Sequence, residues 1–83
     1  MKVVTFGAQY ELIEFNHYID HESEETVSVL DIVIKSNTMD FIEKEFNNLF
    51  IIDTEKTSYV FSKYELTEYY EIGGGLVRII CVK

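Results

Sequence analysis

His17 and His21 lie four residues apart, a spacing that on a helix places two imidazoles on one side, as in many zinc sites. The residues around them alternate as a strand does, however, and a four-residue offset along a strand is roughly 13 Å, too far for one metal ion. They are expected to be two polar residues, one on a strand and one at its end. Asp20, Glu22, Glu24 and Glu25 cluster negative charge but lack the alternating oxygen ligands and central glycine of a calcium loop, so a solvated loop is predicted over His21 to Glu25. Glu65 and Glu68 come with no partner set for acid–base work. Ser58 and Ser62 lack a nucleophile-elbow motif, and Cys81 sits in an apolar run where a thiol stays protonated. The Gly73-Gly74-Gly75 run precedes a strand instead of a helix and lacks the Lys and Ser/Thr of a phosphate loop, so it reads as a hairpin turn. The sequence therefore predicts no catalytic residue, no cofactor and no metal.

The elements that would position any site follow from periodicity. Lys2 to Phe6 holds the apolar Val3, Val4 and Phe6, and Gly7 to Gln9 turns the chain into a second strand, Tyr10 to Asp20. There Ile13, Phe15 and Ile19 share one parity and are the expected core face; Tyr10, Leu12, Glu14, Asn16 and Tyr18 share the other. Thr26 to Lys35 is a Val/Ile-rich strand with Leu30, Ile32 and Ile34 on one side. Ser36, Asn37 and Thr38 are candidate N-caps for a helix carrying Asp40 in its first turn and ending at Asn47 and Asn48. Its apolar stripe is Met39, Ile42, Phe46 and Leu49, which leaves Phe41 exposed. Phe50 to Asp53 and Ser58 to Tyr64 read as strands, with a turn at Thr54 to Lys56 between them, and Leu66 to Ile72 continues the pattern of the second. Leu76 to Val82 is apolar on both parities apart from Arg78, which is expected to stay hydrated or to pair with an acid. Such a strand should be central or covered on two sides, so a carboxylate at Leu76 or Ile80 is expected to unfold or dissociate the protein. The prediction is one α+β domain over residues 1–83: an antiparallel sheet of six or seven strands, in the order β-β-β-α-β-β-β, with one helix packed on it. A small curled or barrel-like sheet is the alternative.

Composition bounds the function. Eighty-three residues, 47% of them hydrophobic and 27% charged, match a single small globular domain. A formal charge of -8 repels phosphate backbones and anionic membrane surfaces, so neither direct nucleic-acid binding nor membrane docking is expected. No stretch reaches the ~20 apolar residues of a membrane helix, and the N-terminus does not read as a secretory signal. The single cysteine fits a reducing compartment.

Surface chemistry remains. Six tyrosines and six phenylalanines are many for this length. Tyr10, Tyr18, Tyr59 and Tyr69 fall opposite the expected core parity. Together with Phe41 they are the predicted protein-binding residues, since aromatic rings bury large areas at low rotamer cost. The competing reading is that these rings complete a second packed layer or form cross-strand pairs. Two functions fit. One is a non-catalytic assembly protein that joins a protein partner or further copies of itself through apolar area. The other is an acidic inhibitor that imitates a phosphate backbone, which should gather Glu11, Glu14, Glu22, Glu24, Glu25, Glu65, Glu68 and Glu71 into one stripe. An enzyme is the remotest reading, because a chain this short would form a pocket mainly at a subunit boundary.

The opening Lys2-Val-Val-Thr-Phe-Gly, the Thr38-Met-Asp-Phe-Ile-Glu-Lys-Glu-Phe helix and the closing Gly-Gly-Gly-Leu-Val-Arg-Ile-Ile-Cys-Val-Lys hairpin resemble small proteins of phages and prophages from low-GC Gram-positive bacteria. The resemblance covers most of the chain in style and order of elements and assigns no functional residue. It implies a virion or assembly component acting in the host-cell cytoplasm or within the virion. An inhibitor of bacterial immunity, of the anti-CRISPR type, is its second implication.

Overall fold

Runs of β-branched and aromatic residues dominate the chain, and they form strands. The structure, a computed structural model, describes residues 1–21 and 26–83, so the expected acidic loop at Glu22, Glu24 and Glu25 lies outside the described residues. In chain order the elements are β1 (Lys2–Val4), β2 (Gln9–Asp20), β3 (Val27–Lys35), α1 (Ile42–Phe46), β4 (Phe50–Asp53), β5 (Ser58–Phe61), β6 (Glu65–Gly73) and β7 (Leu76–Val82). All neighbouring strands are antiparallel in a seven-stranded sheet of order β5-β4-β1-β2-β3-β7-β6. Seven strands fit the six or seven expected, and the four that follow the helix are one more than in the order β-β-β-α-β-β-β.

The helix also departs from expectation. It is five residues long and buries only Ile42 and Phe46, so it is too short to cover a sheet. Met39 and Leu49, predicted on the same stripe, fall outside it and are exposed. The expected N-caps build turns instead: Ser36 Oγ donates to the Thr38 carbonyl at 2.6 Å, and the Asp40 amide donates to Thr38 Oγ1 at 3.1 Å. Asn47 and Asn48 end the helix as expected, their side-chain amides donating back to the Glu43 and Lys44 carbonyls at 2.9 and 2.6 Å. The Leu66 amide of edge strand β6 donates to Asn47 Oδ1 at 3.0 Å, tying the helix end to the sheet edge.

The sheet is strongly curled. Phe61 ends β5 and Glu65 begins β6, yet these are the two outermost strands. Three connecting residues span at most about 14 Å, whereas the edges of a flat seven-stranded sheet would be about 29 Å apart. Lys63, at φ 63°, sits in the turn that makes this crossing. The predicted continuation from Ser58–Tyr64 into Leu66–Ile72 is thus a passage from one edge to the other. β5 and β6 do not pair with each other, so the sheet stops short of the barrel alternative.

Inside the curl lies an aromatic core. Phe46 meets Phe50 at 5.0 Å between ring centroids, Phe50 stacks on Phe61 at 5.6 Å, and Phe61 meets Phe15 edge-on at 6.2 Å. Leu30, Ile32 and Ile34 of β3 are fully buried, as predicted, and stand in register with Cys81, Ile79 and Val77 of β7. Leu76, Ile80 and Val82, on the other side of β7, are only half-buried, so this central strand is fully covered on one side alone.

Strand β2 changes parity. The register shifts between Leu12 and Glu14, leaving Ile13 as the bulged residue; one extra residue flips every side chain beyond it to the opposite face. Tyr10 and Leu12 therefore pack inward before the bulge and Phe15 after it. Ile13 and Ile19, predicted for the core, are exposed. The final hairpin closes through Gly74 and Gly75 at φ 63° and 75°, the paired positive angles of a type I′ turn.

Candidate functional site

Between the β1–β2 turn, α1 and β4 lies an open groove of about 830 Å³, lined by apolar side chains that include Val4, Phe6, Phe41, Leu49 and Ile51. Phe6 stands at its lip with 97% of its surface exposed. This exposure is imposed by the turn. The Thr5 amide donates to the Ala8 carbonyl at 2.8 Å, Thr5 Oγ1 donates to the same carbonyl at 3.2 Å, and the Ala8 amide donates to Thr5 Oγ1 at 3.1 Å. Thr5 is buried, so the turn is anchored and the next side chain is thrown outward. Sequence reading placed Phe6 within the first strand; the signal against that was Gly7, a turn residue immediately after it.

The opposite wall comes from α1. Phe41, predicted to be exposed, is 62% exposed and lines the groove with Leu49, itself 53% exposed. Lys44 is the groove's cation, and the Glu45 carboxylate in the same wall accepts a hydrogen bond from the Tyr10 hydroxyl. Burial, and then the bond to Glu45 and its negative charge, push the Tyr10 phenol up to about 12. The phenol thus stays protonated and fastens α1 to β2. Tyr10 was predicted to face away from the core; it instead packs against Phe46 at 6.1 Å because it lies before the bulge.

The other predicted contact residues do not join the groove. Tyr69 packs inward against the core, contrary to the parity expected of it. Tyr59 lies at the curl's rim, its ring 5.7 Å from that of Phe15. Tyr18 is half exposed on the outer face of β2. The five predicted residues are thus spread over the molecule, and only Phe41 lines the groove.

The outer face of β2, β3, β7 and β6 is laid out by register. Glu14, Val33, Arg78 and Tyr70 form one row across the strands; Asn16, Asp31, Ile80 and Glu68 form the next; Tyr18, Val29, Val82 and Glu65 the third. The two central strands contribute mainly aliphatic side chains. In these three rows the exceptions are Asp31 and Arg78, which form a two-pronged ion pair with Nε–Oδ1 at 2.9 Å and Nη2–Oδ2 at 3.1 Å, and Lys35 stands exposed at the end of β3 on the same face. The bond and the charge of Asp31 raise the guanidinium further above its ordinary value.

At one end of the core, His17 Nε2 lies 2.9 Å from Ser28 Oγ and 3.1 Å from the Tyr64 hydroxyl, and those two oxygens are 2.8 Å apart. Lys83 Nζ lies 5.4 Å from the centre of the Tyr64 ring. A histidine nitrogen this close to a serine is the pairing that activates a nucleophile. Here the nitrogen is shared with the phenol, and the ring stands edge-on to Phe61 at 5.3 Å. The trio works as a clasp joining β2, β3 and the crossing segment. Sequence reading missed it because its members are far apart along the chain. Burial pushes the Cys81 thiol up to about 12, so it is held as the unreactive thiol. Among the described residues no group of three His, Cys, Asp or Glu side chains is placed to hold a metal ion, and no helix is long and apolar enough to cross a membrane.

Comparison with protein-family models, with curated proteins and with solved structures finds no match in any of the three.

Proposed function

We propose that this chain is a non-catalytic protein-binding module, an assembly component of the phage or prophage type its sequence resembles, and that copies of it meet at the groove beside Phe6. The observation that carries this reading is Phe6 itself, a fully exposed ring fixed on an anchored turn at the lip of an apolar groove. A ring next to a groove on the same surface suits a two-fold contact, in which each copy inserts its Phe6 into the other. Burying two such rings contributes roughly 3–6 kcal/mol, comparable to the lower estimates of the cost of association, so Phe41 and Leu49 must add to the contact.

Charge gives the test its sign. Each copy carries a formal charge of -8, so copies repel, and salt screens that repulsion. Solution mass is expected to rise with protein concentration and to rise further with salt, while Phe6→Ser and Phe41→Ser reduce it to that of the monomer. A protein that stays monomeric up to about millimolar concentration at both salt levels, or a Phe6→Ser protein that associates like the parent, would refute the reading.

A second reading, an acidic inhibitor of a host nucleic-acid-handling or defence protein, is favoured by the carboxylates Glu14, Glu65 and Glu68 on one sheet face. Its complex would weaken steeply with salt. Against it, those carboxylates are divided by aliphatic strands, and Glu71 takes the register of Val77 on the other side of the sheet.

A further inference from the structure

The outer face of β2, β3, β7 and β6 has a layout that charge alone does not explain. Its two central strands present the half-buried Val27, Ile80 and Val82, with Val29 and Val33 of the same face buried and with Asp31 and Arg78 neutralising each other between them. Its two flanking strands present exposed carboxylates, Glu14 on β2 and Glu65 and Glu68 on β6. Exposed rings also stand on these flanks, Tyr18 at 50% and Tyr70 at 39%. Three strand spacings separate the flanks by about 14 Å. The rows continue through Asp20 and Val27, so the strip runs about 20 Å along the strands.

We propose that this face binds an amphipathic α-helix of a partner protein, one whose apolar stripe is bordered on both sides by Lys or Arg. A helix with its side chains is about 10–12 Å across, so it fits between the flanking rows, and about 14 residues cover the length of the strip. Its apolar stripe lies on Val27, Ile80 and Val82, and its basic borders reach Glu14 on one side and Glu65 and Glu68 on the other. Tyr18 and Tyr70 close over its ends, as amphipathic rings do at contact rims. The long-range field of an acidic chain draws such a segment in. The internal pairing of Asp31 with Arg78 neutralises the two charges in the middle of the strip that would otherwise oppose an apolar stripe. This proposal does not rest on self-association at the Phe6 groove, which lies on different elements.

The test uses the full chain and three fluorescent peptides of about 14 residues. One places Leu along a single helical face with Lys elsewhere, one scrambles that composition so that no face forms, and one replaces every Lys with Glu. Anisotropy is expected to show binding of the first peptide, binding at least about tenfold weaker for the scrambled peptide, and none for the Glu peptide. Glu14→Gln/Glu65→Gln/Glu68→Gln and, separately, Tyr18→Ser should each weaken binding of the first peptide about tenfold, because exposed rim groups can be changed without touching the core. Phe6→Ser and Phe41→Ser should leave it unchanged. Equal binding of the scrambled peptide would replace the proposal with recognition by charge alone. Loss of binding in the Phe6 or Phe41 variants would move the site to the groove. Unaltered binding in the rim variants, or no binding of the Lys peptide at about millimolar concentration, would overturn the proposal outright.

Discussion

Phe15 on β2 and Phe61 on β5 meet edge-on with ring centroids 6.2 Å apart, although β2 is the fourth strand of the sheet counted from β5 at its edge. In a flat sheet those strands would be about 14 Å apart and their side chains would stand parallel. The contact exists because the sheet curls until its edge strand faces its middle, and Phe61 is where the curl is fastened. It touches Phe15, His17, Phe50 and Tyr64 at once.

Phe61→Ala is therefore expected to cost about 3–5 kcal/mol, as truncation of a buried core ring does. Tyr59→Ala, on the same strand but exposed at the rim, should cost clearly less. Urea denaturation of both variants checks the order; a Tyr59→Ala loss equal to that of Phe61→Ala would show that β5 is held by its rim.

On β7 neighbouring positions should respond in opposite ways. Ile79 is fully buried among Ile32 and the rest of the core, and Ile79→Asp is expected to unfold the chain, since a carboxylate there has neither water nor a partner. Ile80 is half-buried on the outer face, so Ile80→Asp should leave a folded protein, which revises the expectation drawn from the doubly apolar strand. Far-ultraviolet circular dichroism of the two variants decides this.

Alkaline pH should weaken the fold in a defined window. Burial raises the Cys81 thiol from 9.0 to about 12, so the folded state holds a proton that the unfolded chain releases first. The stabilisation is complete below about pH 9 and is lost as pH rises towards 12. Tyr10, raised from 10.0 to about 12, adds to the loss in the upper part of that range. Cys81→Ala should flatten the decline of unfolding free energy that begins near pH 9, whatever it does to stability at pH 7. An unchanged slope would show that the thiol is not the titrating group. At pH 7 the parent thiol should resist a disulfide reagent until denaturant is added.

The Gly74–Gly75 turn should discriminate between residue types. Gly75 has φ 75°, and a Cβ there would lie 3.3 Å from Asn37 Oδ1, so Gly75→Val is expected to cost at least about 1–2 kcal/mol. Gly74, at φ 63° with open space around it, should accept Asn at little cost, because asparagine tolerates that conformation. Thermal melts of the two variants provide the comparison; equal losses would contradict the crowding argument.

Local rules settled much of this molecule. Alternation placed Leu30, Ile32 and Ile34 inside, three glycines turned the last hairpin, the helix formed around Ile42 and Phe46 and left Phe41 outside, and an apolar run silenced the thiol of Cys81. Each depends on neighbours within a few positions, where side-chain period and backbone freedom act directly. What the tertiary structure decided depends on partners far along the chain. The bulge at Ile13 reversed the faces of Tyr10 and Phe15 because pairing with β3 left one residue over. The curl set β5 against β2 and shortened the helix's task to filling a gap. The anchoring of Thr5 turned Phe6 from a strand residue into the most exposed ring of the protein. The rows of carboxylates around an aliphatic strip arose only when β2, β3, β7 and β6 aligned, since register across strands is fixed by packing and leaves no mark in the spacing of residues along one strand.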